Sequence, residues 1–394
     1  MLTTQDISIV KSTVPLLEAG GVAVTEHFYN RMFEHNPELK DIFNMSNQRN
    51  NAQRIALFEA ILAYAKHIED PSVLMPVIER ITQKHASFHI LPAHYQIVGL
   101  HLIETMRELL PNEFTPEVEA AWGSAYQVLA NLFIDLEENI YLSHEEKQGG
   151  WRGKRAFRVL EKRAESELVT SFVFEPVDGQ AVMDYQPGQY LGIEVKDDSI
   201  ANVEIRQYSL SDKPNGKTYR ISVKREAGKT PGMVSNFLHD NLQAGSLVDL
   251  HAPCGDFFWQ DKHAPVVLIS AGVGVTPMQA MLETLASNNY GHTVHYLHAC
   301  LNEMQHSFPE RTETLCQAHN WPYLTWYQEA SSPAQENKRH GLMSLSAVPL
   351  PIETGDFYLC GPVSFMKFAQ DQLLELGVDA DRIHYEVFGP HASL

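Results

Sequence analysis

Apolar residues recur at spacings of three and four through the first part of the chain, which predicts one helix after another. Thr3, with Asp6 three residues later, predicts a capping box that opens the first helix. Signals for strands are nearly absent over this stretch. The last helix of the block carries apolar residues at helical spacing: Trp122, Tyr126, Leu129, Leu132, Phe133 and Leu136. Residues 1–143 therefore form a predicted all-α domain.

After Gly149 and Gly150 the pattern changes to short runs in which apolar and polar residues alternate. One run holds Leu191, Ile193 and Val195, and another holds Tyr219, Ile221 and Val223. Turn signals at Pro187-Gly188 and Pro214–Gly216 bound these runs. Alternation with a period of two predicts antiparallel strands, so residues 151–261 are predicted to form a small β-barrel.

The third part of the chain, residues 262–394, opens with Val266–Ser270, a continuous apolar run typical of a strand buried on both faces. A glycine-containing loop and a helical segment follow it. Val294–His298, Tyr323–Tyr327 and Phe357–Cys360 predict further strands, with helical stretches between some of them. This order indicates an open-sheet α/β domain.

Composition narrows the functional classes. The 394 residues carry a formal net charge of −19, which argues against nucleic acid or an anionic membrane surface as a partner. The four cysteines form no C-x-x-C pair, so neither a zinc ribbon nor covalent haem attachment is indicated, and free thiols suit a reducing cytoplasm. We also expect no signal peptide and no membrane span.

The segment Val77–His89 presents a histidine on an apolar helix face. Ile78, Ile81, His85 and Phe88 recur at helical spacing, so they are expected to share that face. One interpretation of His85 is a core histidine bonded to a backbone carbonyl; the other is an axial ligand of haem iron. His89, one predicted turn further along the same side, is the main rival ligand.

Ala271–Pro277 connects a buried strand to a helix through two glycines. Glycine permits a tight turn and a close approach of the backbone to a phosphate. Thr276 is predicted at the N-cap and Pro277 at the first helical position. Taken alone, this loop is either a nucleotide site or only a tight turn. A second loop, after Tyr358–Cys360, is expected to place Gly361 across the same crevice.

The barrel offers Arg206–Ser209, in which arginine supplies donors for a pyrophosphate, tyrosine a flat apolar face and serine a hydroxyl. Pro187–Tyr190 upstream and the glycine loop downstream make this segment more specific. Arg206–Ser209, Gly272–Pro277 and Cys360–Pro362 occur in an order and at spacings that resemble the ferredoxin–NADP reductase family. The helical block resembles the globin of the bacterial flavohaemoglobins. The resemblance covers essentially the whole chain. It includes the helical residues Tyr29, Phe43, Gln53, His85, Tyr95 and Glu137, the loop Asn44–Arg49, and the terminal segment Glu386–Pro390.

That resemblance implies a role for each helical residue. His85 would be the metal ligand of a b-type haem, and the catalytic residues would be Tyr29, Gln53, Tyr95 and Glu137. Tyr95 and Glu137 would hydrogen-bond with His85. On the distal side Tyr29 would donate a hydrogen bond to oxygen, beside Gln53. Phe43 would pack on the porphyrin, and Lys84 would lie toward the gap between haem and flavin.

Each of these residues also has a plainer interpretation. Tyr29 is more often a core aromatic, and Gln53 is ordinarily a solvated helix residue. Glu137 stands next to Glu138, and such an acidic pair is usually a solvent-exposed helix face.

The resemblance also implies the nucleotide contacts. FAD would be held by Tyr190, Arg206, Gln207, Tyr208 and Ser209, with Ser235 as a pyrophosphate contact and Val387, Phe388, Gly389 and Pro390 closing from the C-terminus. The nicotinamide cofactor would be seated by Gly272, Val273, Gly274, Val275, Thr276 and Pro277. Cys254 is expected to be a small buried packing residue, not a reactive thiol.

The function implied by the resemblance is an oxidoreductase, a nitric oxide dioxygenase that uses NADH or NADPH, FAD and one haem b to convert NO and O2 to nitrate. We expect a cytoplasmic monomer that needs no membrane. Two alternatives are an oxygen- or redox-sensing haem protein whose reductase keeps the iron ferrous, and a reductase for an external acceptor.

Overall fold

The computed structural model describes residues 2–43, 52–198, 200–228 and 231–389. The chain divides into two compact units. One comprises Met1–Lys147, Trp151–Lys154 and Glu194–Arg206, and the other comprises Gln148–Gly150, Arg155–Ile193 and Gln207–Leu394.

The N-terminal stretch of the first unit, up to Lys147, is helical in its described residues, as the periodicity predicts. Its α-helices are α1 (Thr4–Ser12), α2 (Val14–Gly20), α3 (Val22–His35), α4 (Ala52–Lys66), α5 (Met75–Ala86), α6 (Pro92–Leu109) and α7 (Pro116–Glu146), with 3-10 turns at Pro37–Asp41 and Pro71–Leu74. The capping box of Thr3 and Asp6 at the start of α1 is confirmed. Pro92 and Pro116 each stand at the first position of a helix, where a missing N–H costs nothing.

Amphipathic faces of these helices enclose a large apolar core. Phe28 and Met32 of α3, Leu102 of α6 and Trp122 of α7 are all buried in it. Within the described residues, no single helix is long and apolar enough to cross a membrane, whereas the bent pair Thr4–Gly20 and Val22–His35, at 89°, meets that criterion by length and composition.

The predicted barrel region forms a six-stranded sheet in the order β4-β3-β6-β1-β2-β5. Its elements are β1 (Lys154–Ala164), β2 (Val169–Pro176), β3 (Tyr190–Val195), β4 (Glu204–Ser209), β5 (Tyr219–Lys224), α8 (Met233–Asn241) and β6 (Leu247–His251). β1 pairs antiparallel with β2, and β2 with β5. A bridge between Leu210, directly after β4, and Ile221 of β5 joins the two ends of the sheet order, as a barrel requires.

Strand β5, which was predicted from an alternating pattern, is buried on both faces. Arg220 and Ser222, the polar residues between its apolar ones, are buried as well. Ser222 shares hydrogen bonds of 2.7 Å with the hydroxyls of Ser171 and Ser211, and the Arg220 guanidinium donates to Ser211. Hydrogen-bonded partners therefore compensate for polar groups that the alternation places in the interior.

The third part of the chain is an open parallel sheet in the order β10-β9-β8-β7-β11-β12. Its strands are β7 (Val266–Ala271), β8 (Val294–Cys300), β9 (Tyr323–Tyr327), β10 (Lys338–His340), β11 (Asp356–Cys360) and β12 (Ile383–Glu386). Its α-helices are α9 (Val275–Ser287), α10 (Pro309–Ala318) and α11 (Val363–Glu375), with 3-10 turns at Gly272–Gly274, Glu303–Gln305, Leu345–Ala347 and Ala380–Arg382.

The first strand of this sheet, β7, lies in its interior. The chain continues from β7 to β8 on one side and later returns to β11 on the other side. The strand order therefore reverses between β7 and β11. Such a switch point opens a crevice at the carboxyl ends of the strands, where open α/β sheets bind their ligands.

Candidate functional site

Three residues from three helices converge on one hydrogen-bonded group in the helical unit. His85 lies in the last turn of α5, Tyr95 in the first turn of α6 and Glu137 about two-thirds of the way along α7. His85 Nδ1 lies 2.8 Å from Glu137 Oε1 and 2.9 Å from the Tyr95 hydroxyl. The Tyr95 hydroxyl also donates to Glu137 Oε1. The structure thus brings together three residues that the resemblance groups.

Burial makes this group unlike an ordinary surface ion pair. The Glu137 side chain is 3% exposed, whereas that of His85 is 33% exposed. Burial first, and then the Glu137 carboxylate, holds the pKa of Tyr95 well above its usual value, so its hydroxyl stays protonated and serves as a donor. The interpretation of Glu137 and Glu138 as a solvated pair holds for Glu138 alone, whose side chain is 46% exposed.

The two partners of Nδ1 determine what the other ring nitrogen can do. A carboxylate only accepts, so the proton of a neutral His85 ring lies on Nδ1, pointing at Glu137. Nε2 then carries the lone pair that binds a metal. A carboxylate on the far nitrogen fixes the ring orientation and makes the ligand more electron-donating. An imidazole nitrogen of this kind would serve as a protein ligand of haem iron.

The end of α5 fixes the main chain at His85. Ile90 N–H donates to the His85 carbonyl at 3.2 Å, and His89 N–H donates to the Ala86 carbonyl at 3.0 Å. These two bonds form a Schellman motif, and His89 occupies its left-handed position with φ of 55°. The expectation that His89 and Phe88 continue the helix face of His85 is wrong, because the helix ends at Ala86. His89 instead packs edge-on against Tyr141, with ring centroids 5.4 Å apart.

The proposed distal residues lie among aromatic rings. Tyr29 of α3 is buried, and its ring centroid lies 5.9 Å from that of Phe43 and 5.8 Å from that of Phe33. The Thr25 hydroxyl of α3 donates to the Arg54 carbonyl at 2.9 Å, so the first turn of α4, which holds Gln53, is adjacent to α3. Lys84 is half-buried in the last turn of α5. The loop Asn44–Arg49 lies outside the described residues.

The proposed flavin residues lie on β3 and β4. Tyr190 begins β3, and Arg206, Gln207, Tyr208 and Ser209 occupy β4 up to its last residue. The Arg206 guanidinium lies 2.7 Å from Glu204 Oε2, and the Glu204 side chain is 3% exposed. This acid was not predicted from the sequence, although a carboxylate two positions before an arginine lies on the same face of a strand. Glu204 orients Arg206 and partly neutralises its charge.

Two further predictions concern the barrel. Ser235 is buried in the first turn of α8, where its hydroxyl lies 3.3 Å from the Gly232 carbonyl and 3.4 Å from the Glu226 N–H. Cys254 is 1% exposed, which agrees with its predicted role as a packing residue. It pairs with Tyr190 through a backbone bridge.

The two glycines of the loop after β7 have different structural roles. Gly272 has φ of 53° and open space around its Cα, so it permits a turn toward a ligand. A Cβ at Gly274 would lie 2.2 Å from the Cys360 carbonyl oxygen and 2.5 Å from Gly361 N. Gly274 is therefore required for packing between two loops, which confirms that the second glycine loop shares this crevice.

The predicted start of the following helix is wrong by two residues. α9 begins at Val275 with Gly274 as N-cap, so Thr276 and Pro277 lie inside its first turn. The reason is that Gly272–Gly274 forms a 3-10 turn that leads directly into the α-helix. The Thr276 hydroxyl accordingly donates backward to the Val273 carbonyl at 3.0 Å.

The C-terminal segment leaves the sheet at the same edge. Cys360 at the end of β11 is in register with Ser270 of β7 on one side and Glu386 of β12 on the other. Val387, Phe388 and Gly389 follow Glu386, and Phe388 is 45% exposed. Pro390 lies outside the described residues. Three loops that carry predicted nucleotide contacts thus leave neighbouring strands.

These features define a class of protein: a helical haem-binding unit fused to a flavin- and nicotinamide-dependent reductase. Comparison with family models agrees with this class. The globin model matches residues 26–132, the oxidoreductase FAD-binding domain model matches residues 156–259, and the oxidoreductase NAD-binding domain model matches residues 268–371. A flavohemoprotein of Vibrio cholerae is 56% identical over 396 residues, covering 100% of both chains. The chain belongs to the flavohemoprotein family.

Solved structures support the assignment. The flavohemoglobin of Malassezia yamatoensis with bound FAD and haem is 26% identical and covers 98% of this chain and 100% of its own, with a TM-score of 0.87. The FAD/NAD-binding domain of the nitric oxide dioxygenase from Vibrio cholerae is 53% identical. It covers 60% of this chain and 99% of its own, with a TM-score of 0.57.

Proposed function

We propose that this oxidoreductase is a nitric oxide dioxygenase driven by NADH or NADPH. The observation that carries the proposal is the His85–Glu137–Tyr95 group in a chain that also holds a complete reductase. A relative 53% identical over the reductase part bears that activity in its name. An oxygen store has no need of a continuous electron supply, whereas repeated turnover does.

When bound, the nicotinamide supplies hydride, FAD divides it into single electrons, and haem brings oxygen and NO to reaction. The overall reaction balances: one NAD(P)H yields two electrons and a proton, and each electron accompanies one NO and one O2 into one nitrate. The chain's own residues bind, orient and shield these groups.

On the haem side, Glu137 would hold the Nδ1 proton of His85 and keep Nε2 available as a ligand. Tyr95 donates to the same carboxylate and so limits its movement. Tyr29 would offer a buried hydroxyl distally, beside Gln53, and Phe43 would pack on the porphyrin. Lys84 would lie toward the flavin.

On the nucleotide side, Arg206–Ser209 and Tyr190 would hold FAD, with Ser235 near its pyrophosphate and Val387–Pro390 closing on it. Gly272–Pro277 would seat the nicotinamide cofactor. We place the domain boundaries at 1–143, 151–261 and 262–394, and the family matches fall inside these ranges. We also infer a cytoplasmic monomer without nucleic-acid or obligatory membrane partners. The net charge of −19 argues against nucleic acid and an anionic membrane surface, and four cysteines without a C-x-x-C pair suit a reducing cytoplasm.

Replacing His85 tests the proposal. We expect purified His85→Ala to lose NO-dependent NADH oxidation in air while it still reduces an artificial acceptor with NADH. His27→Ala serves as the control, because His27 is half-exposed in the same unit and pairs with Glu108. It should keep both activities and the haem absorption bands.

Two outcomes contradict the proposal. Wild-type protein that binds haem and FAD but shows no NO-dependent NADH oxidation favours the sensing alternative. An unaltered haem spectrum and NO consumption in His85→Ala would show that another side chain holds the iron.

A further inference from the structure

The segment Trp151–Gly153 belongs to the helical unit and contacts one of its helices. It leads toward the reductase part of the chain. Arg152 donates to both carboxylate oxygens of Glu138, at 3.0 and 2.7 Å, and to Glu145 at 3.0 Å. Its guanidinium carbon lies 5.3 Å from the centre of the Tyr141 ring. All three partners belong to α7. We call Arg152, Glu138, Tyr141 and Glu145 the linker clamp.

The linker clamp lies on the stretch of α7 that carries the proximal carboxylate. Glu138 is the next residue after Glu137, and Tyr141 follows Glu137 by one helical turn. The Tyr141 hydroxyl donates to the Ile90 carbonyl at 2.8 Å. Ile90 in turn donates its N–H to the His85 carbonyl. A continuous set of contacts therefore runs from Arg152 to both His85 and Glu137.

Gly153 brings the linker against the end of α5 as well. It has φ of 71°, and a Cβ there would lie 3.1 Å from His89 Cε1. Trp151 Nε1 donates to the Gly153 carbonyl at 3.0 Å, which stabilises this turn. His89 is the residue that closes the Schellman motif after His85, so the linker meets the ligand helix at its terminus.

We propose that Arg152 is a positioning residue for the haem: through the linker clamp it sets the distance between His85 and Glu137 and thereby the electron donation of the axial imidazole. The proposal rests on the proposed ligation of haem by His85. A carboxylate that approaches Nδ1 strengthens the ligand and favours ferric iron, so loosening the clamp should make the midpoint potential more positive.

The composition of the clamp distinguishes it from an ordinary surface ion pair. A single exposed pair contributes little to stability. Arg152 combines a two-pronged contact with one carboxylate, a second carboxylate and an aromatic face, and its side chain is 30% exposed. Such geometry fixes orientation as well as distance, which a lysine cannot reproduce.

The test compares Arg152→Gln with Arg107→Gln in the full-length, haem-loaded protein. Arg107 is a matched control because it binds Glu119 of α7 through both carboxylate oxygens, near the helix start and away from Glu137. We expect Arg152→Gln to lower the ferric-to-ferrous ratio about threefold at a fixed potential. At 59 mV per tenfold change, this is a rise of about 30 mV in the midpoint potential. The iron–histidine stretching frequency of the ferrous protein should fall, and Arg107→Gln should change neither quantity.

Arg152→Lys should show an intermediate shift, because it keeps the charge and one contact with Glu138. If Arg152→Gln does not accumulate as haem-loaded protein, Arg152→Lys and Glu138→Gln decide on the same two readouts. Equal values for Arg152 and Arg107 variants, with only the melting temperature changed, would overturn the proposal. A wild-type spectrum without an iron–histidine band would instead refute ligation by His85, and with it the proposed function.

Discussion

The proximal haem site and the nicotinamide edge are built from different parts of the polypeptide. At the proximal site, side chains separated by 10 and 52 positions in the sequence meet around the Nδ1 atom of His85. At the nicotinamide edge, the main chain of two loops meets where Gly274 abuts Cys360 and Gly361. The first site depends on which polar groups are present, and the second on the absence of a side chain.

This difference determines how each site responds to substitution. A polar side chain can be replaced by one of similar shape, which removes a hydrogen bond and leaves the packing in place. A glycine enclosed by backbone offers no such replacement, because even one methyl group must displace main chain. We therefore expect the largest effect at the enclosed glycine of the nicotinamide edge.

The largest effect is expected for Gly274→Ala. Its methyl group would meet backbone atoms of Cys360 and Gly361, which cannot rotate away. We expect about 3 kcal/mol of destabilisation, at the upper end for overpacking. NADH-driven reduction of an artificial acceptor should fall at least tenfold, and urea unfolding followed by flavin fluorescence measures the stability.

Gly272→Ala separates crowding from backbone strain. Gly272 has left-handed φ but open surroundings, so alanine there should cost only about 1 kcal/mol. Equal losses for the two variants would show that conformation, and not loop packing, governs this edge.

Glu137→Gln should have an effect between those of the two glycine variants, about 2 kcal/mol, because it keeps the side-chain volume and removes charge-assisted bonds to His85 and Tyr95. Thermal unfolding of the haem-loaded protein, followed by haem absorbance, measures it. Glu108→Gln is the control, since its side chain is 44% exposed and its ion pairs contribute little. A loss no greater than that of the control would mean that Glu137 does not stabilise the site.

The same contrast explains what the sequence could predict. The strand Tyr323–Tyr327 has the predicted bounds, and the crevice beside Gly361 follows from contiguous motifs. The burial of Glu137 and its contact with His85 come from helices far apart in sequence, so the neighbouring acid Glu138 favoured a solvated position for it. The end of α5 was missed because His89 takes a left-handed position that glycine or asparagine usually marks. Glu204 was missed because a pair within one strand carries no motif.

The dependence of stability on pH can be compared through one histidine from each unit. Burial first, and then a nearby lysine, lowers the pKa of His144 in the helical unit and of His306 beside β8 to about 4. Between pH 4 and 6.5 the unfolded chain binds more protons than the folded one, so stability falls as the pH drops through this window.

His306 accordingly offers a direct measurement of this linkage. Its Nδ1 lies 2.8 Å from the Tyr327 hydroxyl, and its ring stacks on that of His298 at 5.0 Å. Glutamine can keep a hydrogen bond to Tyr327 but does not titrate. On going from pH 7.5 to 5.5, the free energy of unfolding should therefore fall by about 1 kcal/mol less in His306→Gln than in wild type. Urea unfolding followed by flavin fluorescence measures this difference. The stability of the helical unit, measured by unfolding followed by haem absorbance, should have the same pH dependence in both proteins, because His144 is retained. A parallel pH dependence of the flavin signal would mean that His306 takes up protons equally in the folded and unfolded chains.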